Sequence, residues 1–362
     1  MIDWLTIYYP YEHNDSYDSG TILSIDTEGE PVWVTQKRKP VEGSFGDSVQ
    51  VKSTSRPTEH YSRTKFSHLE ISGNPSKFLQ GHNVFGTDDI CSLTHDFVKL
   101  ILKTLKIKQS FLTTLVSTLS SHITRVDINY SYHLANAQQV QTWLYSAELS
   151  ATLKHRGKGQ MNKGALYFGK RSRRWSLKMY HKGQEILDNK KHQNVTHKIL
   201  TDYANKSLRC ELTLRSLELK SLNLRTLCNW RNQDISALYA SYLSKLELND
   251  NMKTLKKTEL DKLSTTLKAS YVLWQNGHDL KSEYSENTYY RHKRELKKLL
   301  NIDISVRQIK ENIITNVVPL LQILEATPAP VPSDAFENNL YYEPDSIDDI
   351  KFIDPMITAE AG

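Results

Sequence analysis

Three cysteines in 362 residues, Cys91, Cys210 and Cys228, are too few and too scattered to staple a fold. They are odd in number and none stands in a C-x-x-C pair. That excludes a disulfide framework and a cysteine zinc site, and it points to a reducing compartment. All three read as small buried hydrophobes. Long apolar runs are missing too. Hydrophobic residues make up 38% of the chain, mean hydropathy is −0.54, and nothing approaches the ~20 consecutive apolar residues that cross a bilayer. The opening MIDWLTIYYP has no basic start ahead of an apolar stretch, so it does not read as a secretory signal. The basic loop KHRGKGQMNKG (154–164) lacks the Gly-Lys-Ser/Thr ending of a nucleotide phosphate loop, which removes ATP binding there. A soluble cytoplasmic protein is expected, long enough for two domains.

Charge is present but unevenly spread. The net charge is +6, yet residues 333–362 hold eight acids and one base, so the tail carries −7 and the remaining 332 residues +13. A body this basic suits a polyanion, with nucleic-acid phosphates the usual candidate. The proline-containing TPAPVPSD and the acidic residues after it predict a flexible terminus over 327–362.

Several stretches alternate apolar and polar residues with the period of a strand. Residues 2–9 read as a strand entering a sheet, and short β segments with Gly, Pro and acidic turns follow through residue 65. Residues 65–72 put His68 and Glu70 on one face; a short helix then ends at Gly81 and leads to His82. Residues 88–118 have helical spacing. Residues 122–134 place Ile123, Arg125, Asp127 and Asn129 on one side and Val126, Ile128 and Tyr130 on the other. An unpaired carboxylate in mid-strand is costly to bury, so Asp127 calls for an arginine or for a divalent cation. Residues 207–219 repeat the pattern, with Arg209, Glu211, Thr213 and Arg215 opposite Leu208, Cys210, Leu212 and Leu214.

Between the two Arg-x-acid strands lies GALYFGKRSRRWSLKMYHKGQEIL (164–187). It reads as a hairpin with a cationic turn (Lys170, Arg171, Arg173, Arg174) and a second strand in which Lys178 and Tyr180 share a face, with Lys182 two residues on. A phenol among cations is a candidate nucleophile toward a phosphodiester, the cations favouring phenolate and stabilising phosphoryl charge. A core tyrosine beside solvated arginines is the plainer reading of the same residues. Carboxylates and imidazole are credible ligands for the metal that such chemistry uses. Arg171, Arg173, Arg174 and Lys178 suit DNA phosphates.

From 221 to 270 the spacing is helical. Residues 271–304 read as a helix-turn-helix with a turn at Asn276-Gly277 and a basic last helix presenting Arg291, His292, Arg294 and Lys298 to DNA.

Together LQGHNVFGT (79–87), ITRVDINYS (123–131), the Tyr180-x-Lys182 strand, RCELTLR (209–215), NVVPL (316–320) and the opening Met1-Ile2-Asp3 resemble the replication initiator endonucleases of filamentous phages, the gene II protein family. The resemblance spans about residues 1–322. It implies a rolling-circle initiator in which Tyr180 attacks one strand of the double-stranded origin DNA, leaves a free 3′-OH and holds the 5′ phosphate until the displaced strand is rejoined. Lys182 would assist, and Mg2+ or Mn2+ would be held by three of Glu70, His82, Asp127 and Glu211. The partners implied are origin DNA and a host helicase and polymerase, in the host bacterial cytoplasm. A plasmid-type initiator or relaxase with the same chemistry, and a non-catalytic DNA-binding regulator, are the alternatives. The expected architecture is α+β: an antiparallel sheet with flanking helices in a nicking domain over 1–220, a helical DNA-binding domain over 221–326, and the tail.

Overall fold

Strand alternation and helical spacing resolve into an α+β fold built on one large antiparallel sheet. The computed structural model describes residues 1–54, 66–154, 156–189, 195–248, 263–275, 278, 280–300, 304 and 327–347. The strands are β1 (Ile2–His13), β2 (Asp18–Ile25), β3 (Pro31–Glu42), β4 (Ser48–Thr54), β5 (Phe66–Gly73), β6 (His122–His133), β7 (Ala151–Leu153), β8 (Gly157–Lys158), β9 (Gln160–Asn162), β10 (Ala165–Phe168), β11 (Trp175–His181), β12 (Ser207–Arg215) and β13 (Leu246–Leu248). Ten of them form the sheet, in the order β2-β3-β4-β5-β1-β6-β12-β11-β10-β9. The first strand of the chain is therefore central.

The helices of this part are α1 (Pro75–Gln80), α2 (Ile90–Thr104), α3 (Phe111–Leu119), α4 (Ala137–Ser150), α5 (Lys182–Asp188), α6 (Lys198–Lys206), α7 (Ser216–Ser221) and α8 (Ile235–Leu243). The apolar face of the sheet (Leu5, Ile7, Val126, Ile128, Leu177, Met179, Leu208, Leu212) packs against Leu93, Phe97 and Ile101 of α2, Leu115 of α3 and Val140, Trp143 and Leu144 of α4. The helical spacing over 88–118 becomes two helices because the chain turns between them. Lys106 adopts φ 58, and the side chains of Asp89 and Ser110 each cap a new N-terminus by accepting from a backbone N–H three residues on. Cys91 and Cys210 are buried as expected, whereas Cys228 is exposed.

Two bulges alter the expected faces. Thr6 pairs with Arg125 but Ile7 with Ile123, so β6 carries an extra residue there. The slip turns Ile123 into the core while Arg125, Asp127 and Asn129 stay on the polar face, a half-period that alternation alone could not reveal. The second bulge is in β1: Ile2 pairs with Ile128 and Trp4 with Asp127, leaving Asp3 as the extra residue.

The core does not stop at residue 220. Leu224, Leu227, Trp230, Ile235, Leu238, Tyr242 and Leu246 belong to the same core as the sheet, so that core continues to β13. A separate core gathers Leu267, Tyr271 and Trp274 of the helix Thr265–Gln275 with Leu280, Tyr289 and Leu296, the last two on the helix Glu286–Leu300. The expected turn at Asn276-Gly277 and residues 348–362 lie outside the described residues, as do Leu255, Leu260, Ile302 and the NVVPL segment.

Residues 327–347, expected to be flexible, are docked on the sheet domain. The Ala329 N–H donates to Ser131 O at 2.8 Å, Tyr203 Oη donates to Ala329 O at 3.0 Å, and Tyr342 Oη donates to Asp96 Oδ2 at 2.9 Å. Ala335 is buried in a small core with Val84, Phe85, Leu200 and Tyr203, and Leu340 and Tyr341 pack on it. Acidic composition hid these apolar and aromatic anchors. No described helix is long and apolar enough to cross a membrane.

Candidate active site

The polar face of the central strands gathers Lys178, Tyr180, Asp127 and Glu211 of the sequence-predicted side chains. Register places Lys178 of β11 opposite Glu211 of β12, and Glu211 opposite Asn129 of β6. Thr213 stands opposite Asp127, and Tyr180 opposite Arg209. Tyr180 is only 4% exposed; its hydroxyl donates to Glu211 Oε2 at 3.5 Å. The Lys178 ammonium lies 4.1 Å from the centre of the same ring and 3.3 Å from Glu211 Oε2. Lys178 thus stands between the Tyr180 ring and the Glu211 carboxylate.

The electrostatics correct one expectation. The cations do not hold Tyr180 as phenolate: burial first, then the charge of Glu211, push the phenol well above its ordinary value, and Arg209 only partly opposes them. Burial also raises the carboxyls of Glu211 and Asp127, each working with neighbouring acids against its cationic partner. Burial acts to lower the Lys178 pKa, but Glu211, Tyr167 and Asp3 together outweigh it and leave it raised. The arrangement stores a neutral phenol next to a weakly acidic carboxyl, a pair suited to passing a proton.

Asp127 is gripped by Arg125 through two bonds, Nε to Oδ1 at 2.9 Å and Nη2 to Oδ2 at 2.5 Å. The arginine that a mid-strand carboxylate calls for is thus in place. Asp3, which the sequence reading missed, is the third carboxylate here. The β1 bulge re-aims its side chain, and Asn74 Nδ2 and Asn83 Nδ2 both donate to its Oδ1, at 2.7 and 2.8 Å. Its charge acts on Asp127, Glu211, Tyr180 and Lys178 alike. Between Asp127 and Ser131 on the same strand face, Asn129 is buried and its Nδ2 has no partner among the described residues.

The segment LQGHNVFGT (79–87) ties these parts together. Gly81 ends α1 at φ 85, where any side chain is strained and a Cβ would also meet the Phe45 ring at 2.9 Å. Asn83, also missed, accepts from Lys182 Nζ at 2.8 Å on the amide that holds Asp3. The main-chain oxygens of Asn83 and Val84 accept from the buried Arg209 guanidinium. Lys182 itself is fully buried and its second bond, at 2.7 Å, goes to Glu185. Its partners are therefore Asn83 and Glu185 rather than Tyr180, and burial lowers its pKa.

The four expected metal ligands do not come together. Glu70 is bound by Arg38 and, at 3.2 Å, by Lys52. It pairs with Tyr8, which pairs with His122, five residues along β6 from Asp127 and thus roughly 15 Å away at a strand's rise. Both ring nitrogens of His82 are engaged: Nε2 donates to Leu340 O at 2.7 Å and Nδ1 accepts from the Val84 N–H at 3.3 Å. Among the described residues no three His, Cys, Asp or Glu side chains form a group ready to hold an ion. The hard oxygen donors that share a face are Asp3, Asp127 and Glu211, with the orphaned amide of Asn129 beside them.

The remaining cations are spread. Arg171 and Arg173 lie exposed in the turn after β10; Arg174 Nε donates to Glu218 Oε2 at 2.6 Å. On the helix Glu286–Leu300, Arg291, Arg294 and Lys298 face outward. His292 does not. It is 3% exposed and its Nδ1 bonds Ser270 Oγ at 2.8 Å, so it is a core residue unavailable to DNA.

Comparison with known proteins adds the family. Residues 1–233 match the N-terminal model of the phage replication-associated protein family, the gene II type, and residues 252–341 match its C-terminal counterpart. The chain belongs to this replication-associated protein family. The replication-associated protein of Enterobacteria phage I2-2 is 36% identical over 348 residues, covering 94% of this chain and 98% of its own. Among solved structures, a rolling circle replication initiator protein from Geobacillus stearothermophilus superposes with a TM-score of 0.34 at 11% identity, covering 85% of this chain and 98% of that one. That superposition is too weak to transfer anything between the two. The N-terminal family match takes in every strand of the polar face, from Asp3 to Glu211.

Proposed function

We propose that this chain of the replication-associated protein family starts rolling-circle replication of phage DNA by nicking one strand of a double-stranded origin through Tyr180 and later rejoining the displaced strand. The observation that carries the reading is the contact of the Tyr180 hydroxyl with Glu211 under the Lys178 ammonium. Tyr180 Oη attacks the phosphorus and passes its proton to the Glu211 carboxylate. The P–O3′ bond breaks, its electron pair stays on the 3′ oxygen, and solvent supplies the proton that makes a free 3′-OH. The 5′ phosphate remains as a tyrosyl diester, which conserves the bond for the reverse step. Lys178 is positioned to offset charge developing on the phosphoryl oxygens. A Mg2+ or Mn2+ ion, which the family resemblance brings in, would supply further charge there. Its donors would be Glu211 and Asp3, with Asp127 joining them only on releasing Arg125; Glu70 and His82 are held in other contacts. The exposed Arg171 and Arg173, and the outward cations of the Glu286–Leu300 helix, suit duplex phosphates. A host helicase and polymerase would follow at the exposed 3′ end, in the host cytoplasm.

The test is a plasmid carrying the phage's own intergenic region, incubated with Mg2+ or Mn2+ and either wild type or Tyr180→Phe, then resolved on denaturing gels. Relaxation and a protein–DNA adduct with wild type alone are expected. Equal adduct from Tyr180→Phe would move the nucleophile to another tyrosine.

A further inference from the structure

Two side chains at the end of α1 each bond in two directions. Gln80 Nε2 donates to the main-chain oxygens of His82 at 3.1 Å and Phe85 at 2.7 Å. Its Oε1 accepts instead from the Tyr342 N–H, at 2.9 Å. His82 repeats the arrangement: Nδ1 accepts from the Val84 N–H while Nε2 donates to Leu340 O. An amide and an imidazole, two residues apart, therefore tie residues 82–85 to residues 340–342. Residues 82–85 belong to no helix or strand, so no regular ladder of backbone bonds fixes them. Yet they order the polar face. Asn83 Nδ2 donates to Asp3, Asn83 Oδ1 accepts from Lys182, and the oxygens of Asn83 and Val84 hold Arg209, the residue opposite Tyr180.

The segment that supplies Leu340 O and the Tyr342 N–H is itself anchored. Asp96 Oδ2 accepts from Tyr342 Oη at 2.9 Å and from the Asp345 N–H at 3.1 Å. Ile347 is 2% exposed in the main core, and its N–H donates to Ser92 Oγ at 3.3 Å. Ala329 and Leu340 fall in the stretch matched by the C-terminal family model, whereas their partners Ser131, Tyr203 and His82 fall in the N-terminal match. Among the described residues no hydrogen bond or ion pair joins this segment to Tyr180, Lys178 or Glu211, whose partners lie within the site. It supports the site without occupying it. We propose that Gln80 is a positioning residue for nicking and residues 340–342 a strap that completes the site from the C-terminal side. The inference rests on the reading of Tyr180 as nucleophile.

The experiment is single-turnover nicking of the origin plasmid by the full chain with Mg2+, over a range of protein concentrations. Gln80→Met keeps the side chain's length but loses its bonds to both turn and strap. Tyr342→Pro removes the N–H that Gln80 receives and leaves the N-terminal match unaltered. Each should lower the maximal rate by about 10²-fold, the scale of a small misplacement of reacting groups. The half-saturating concentration and the circular dichroism at the assay temperature should stay as in wild type. An unchanged rate in Gln80→Met would overturn the proposal, as would a loss confined to the half-saturating concentration. A faster rate in either variant would make the strap an inhibitor and overturn it equally. Hydrogen exchange on wild type needs no variant: the Val84 and Tyr342 amides should open together, with equal protection factors. A Val84 amide that exchanges while Tyr342 stays protected would overturn the coupling. If wild type itself does not nick, the Tyr180 reading falls, and the exchange comparison still decides whether strap and turn are coupled.

Discussion

In the proposed mechanism Glu211 has two tasks, accepting a proton from Tyr180 and neutralising Lys178, and a carboxylate in a low-dielectric site can meet both only if its charge is shared. Removing that charge while keeping the shape should lower nicking by about 10²–10⁴-fold in Glu211→Gln, the scale of a lost general base. Asp127→Asn and Asp3→Asn should also lose nicking. All three should retain duplex binding in a gel-shift assay, because no carboxylate contributes to phosphate attraction. Full nicking by Asp3→Asn would remove it from the site. His82 makes a different demand. Burial lowers its pKa from 6.5 to about 4, so below pH 6.5 the unfolded chain binds a proton that the folded chain refuses. The associated stability is fully present above 6.5 and is lost as pH falls toward 4, at most roughly 3 kcal/mol. Denaturant melts of wild type and His82→Gln across that window should show the variant with the shallower fall.

At the scale of elements, the helix Glu286–Leu300 separates into two faces with two jobs. Arg291→Ala/Arg294→Ala/Lys298→Ala should weaken duplex binding and reduce the slope of log affinity against log salt by about 2 to 3. His292→Ala should leave that slope alone and destabilise the helical unit by about 1 kcal/mol, the scale of one lost hydrogen bond, since the Ser270 hydroxyl keeps its bonds to Thr266 and Tyr284. An unchanged slope in the triple variant would remove this helix from the DNA interface. Sequence alone could tell that this helix is basic, but not that its histidine points inward, since burial depends on helices elsewhere in the chain. The strands were more legible: alternation put Lys178 with Tyr180, Asp127 with Asn129, and Glu211 each on one side of its own strand, and the register then joined those sides into one face. Asp3 escaped because a bulge, invisible to a period of two, brings it there. The partners of Glu70 and His82 were not legible, because a carboxylate or imidazole on a strand or in a turn does not reveal whether it meets a cation, a carbonyl or a metal.

For the molecule as a whole, sheet order matters as much as content. The sheet is centred on the strand that leaves the ribosome before the other strands, and those on either side of it arrive much later. Asp3 and Glu211 are 208 residues apart, so at a synthesis rate of about 5–20 residues per second the first acid waits roughly 10–40 s for the last. During that interval Ile2, Leu5, Ile7 and Tyr9 have no completed sheet to join. A nascent chain in this state exposes these apolar side chains, and the polar face is not assembled before its middle strands have left the tunnel.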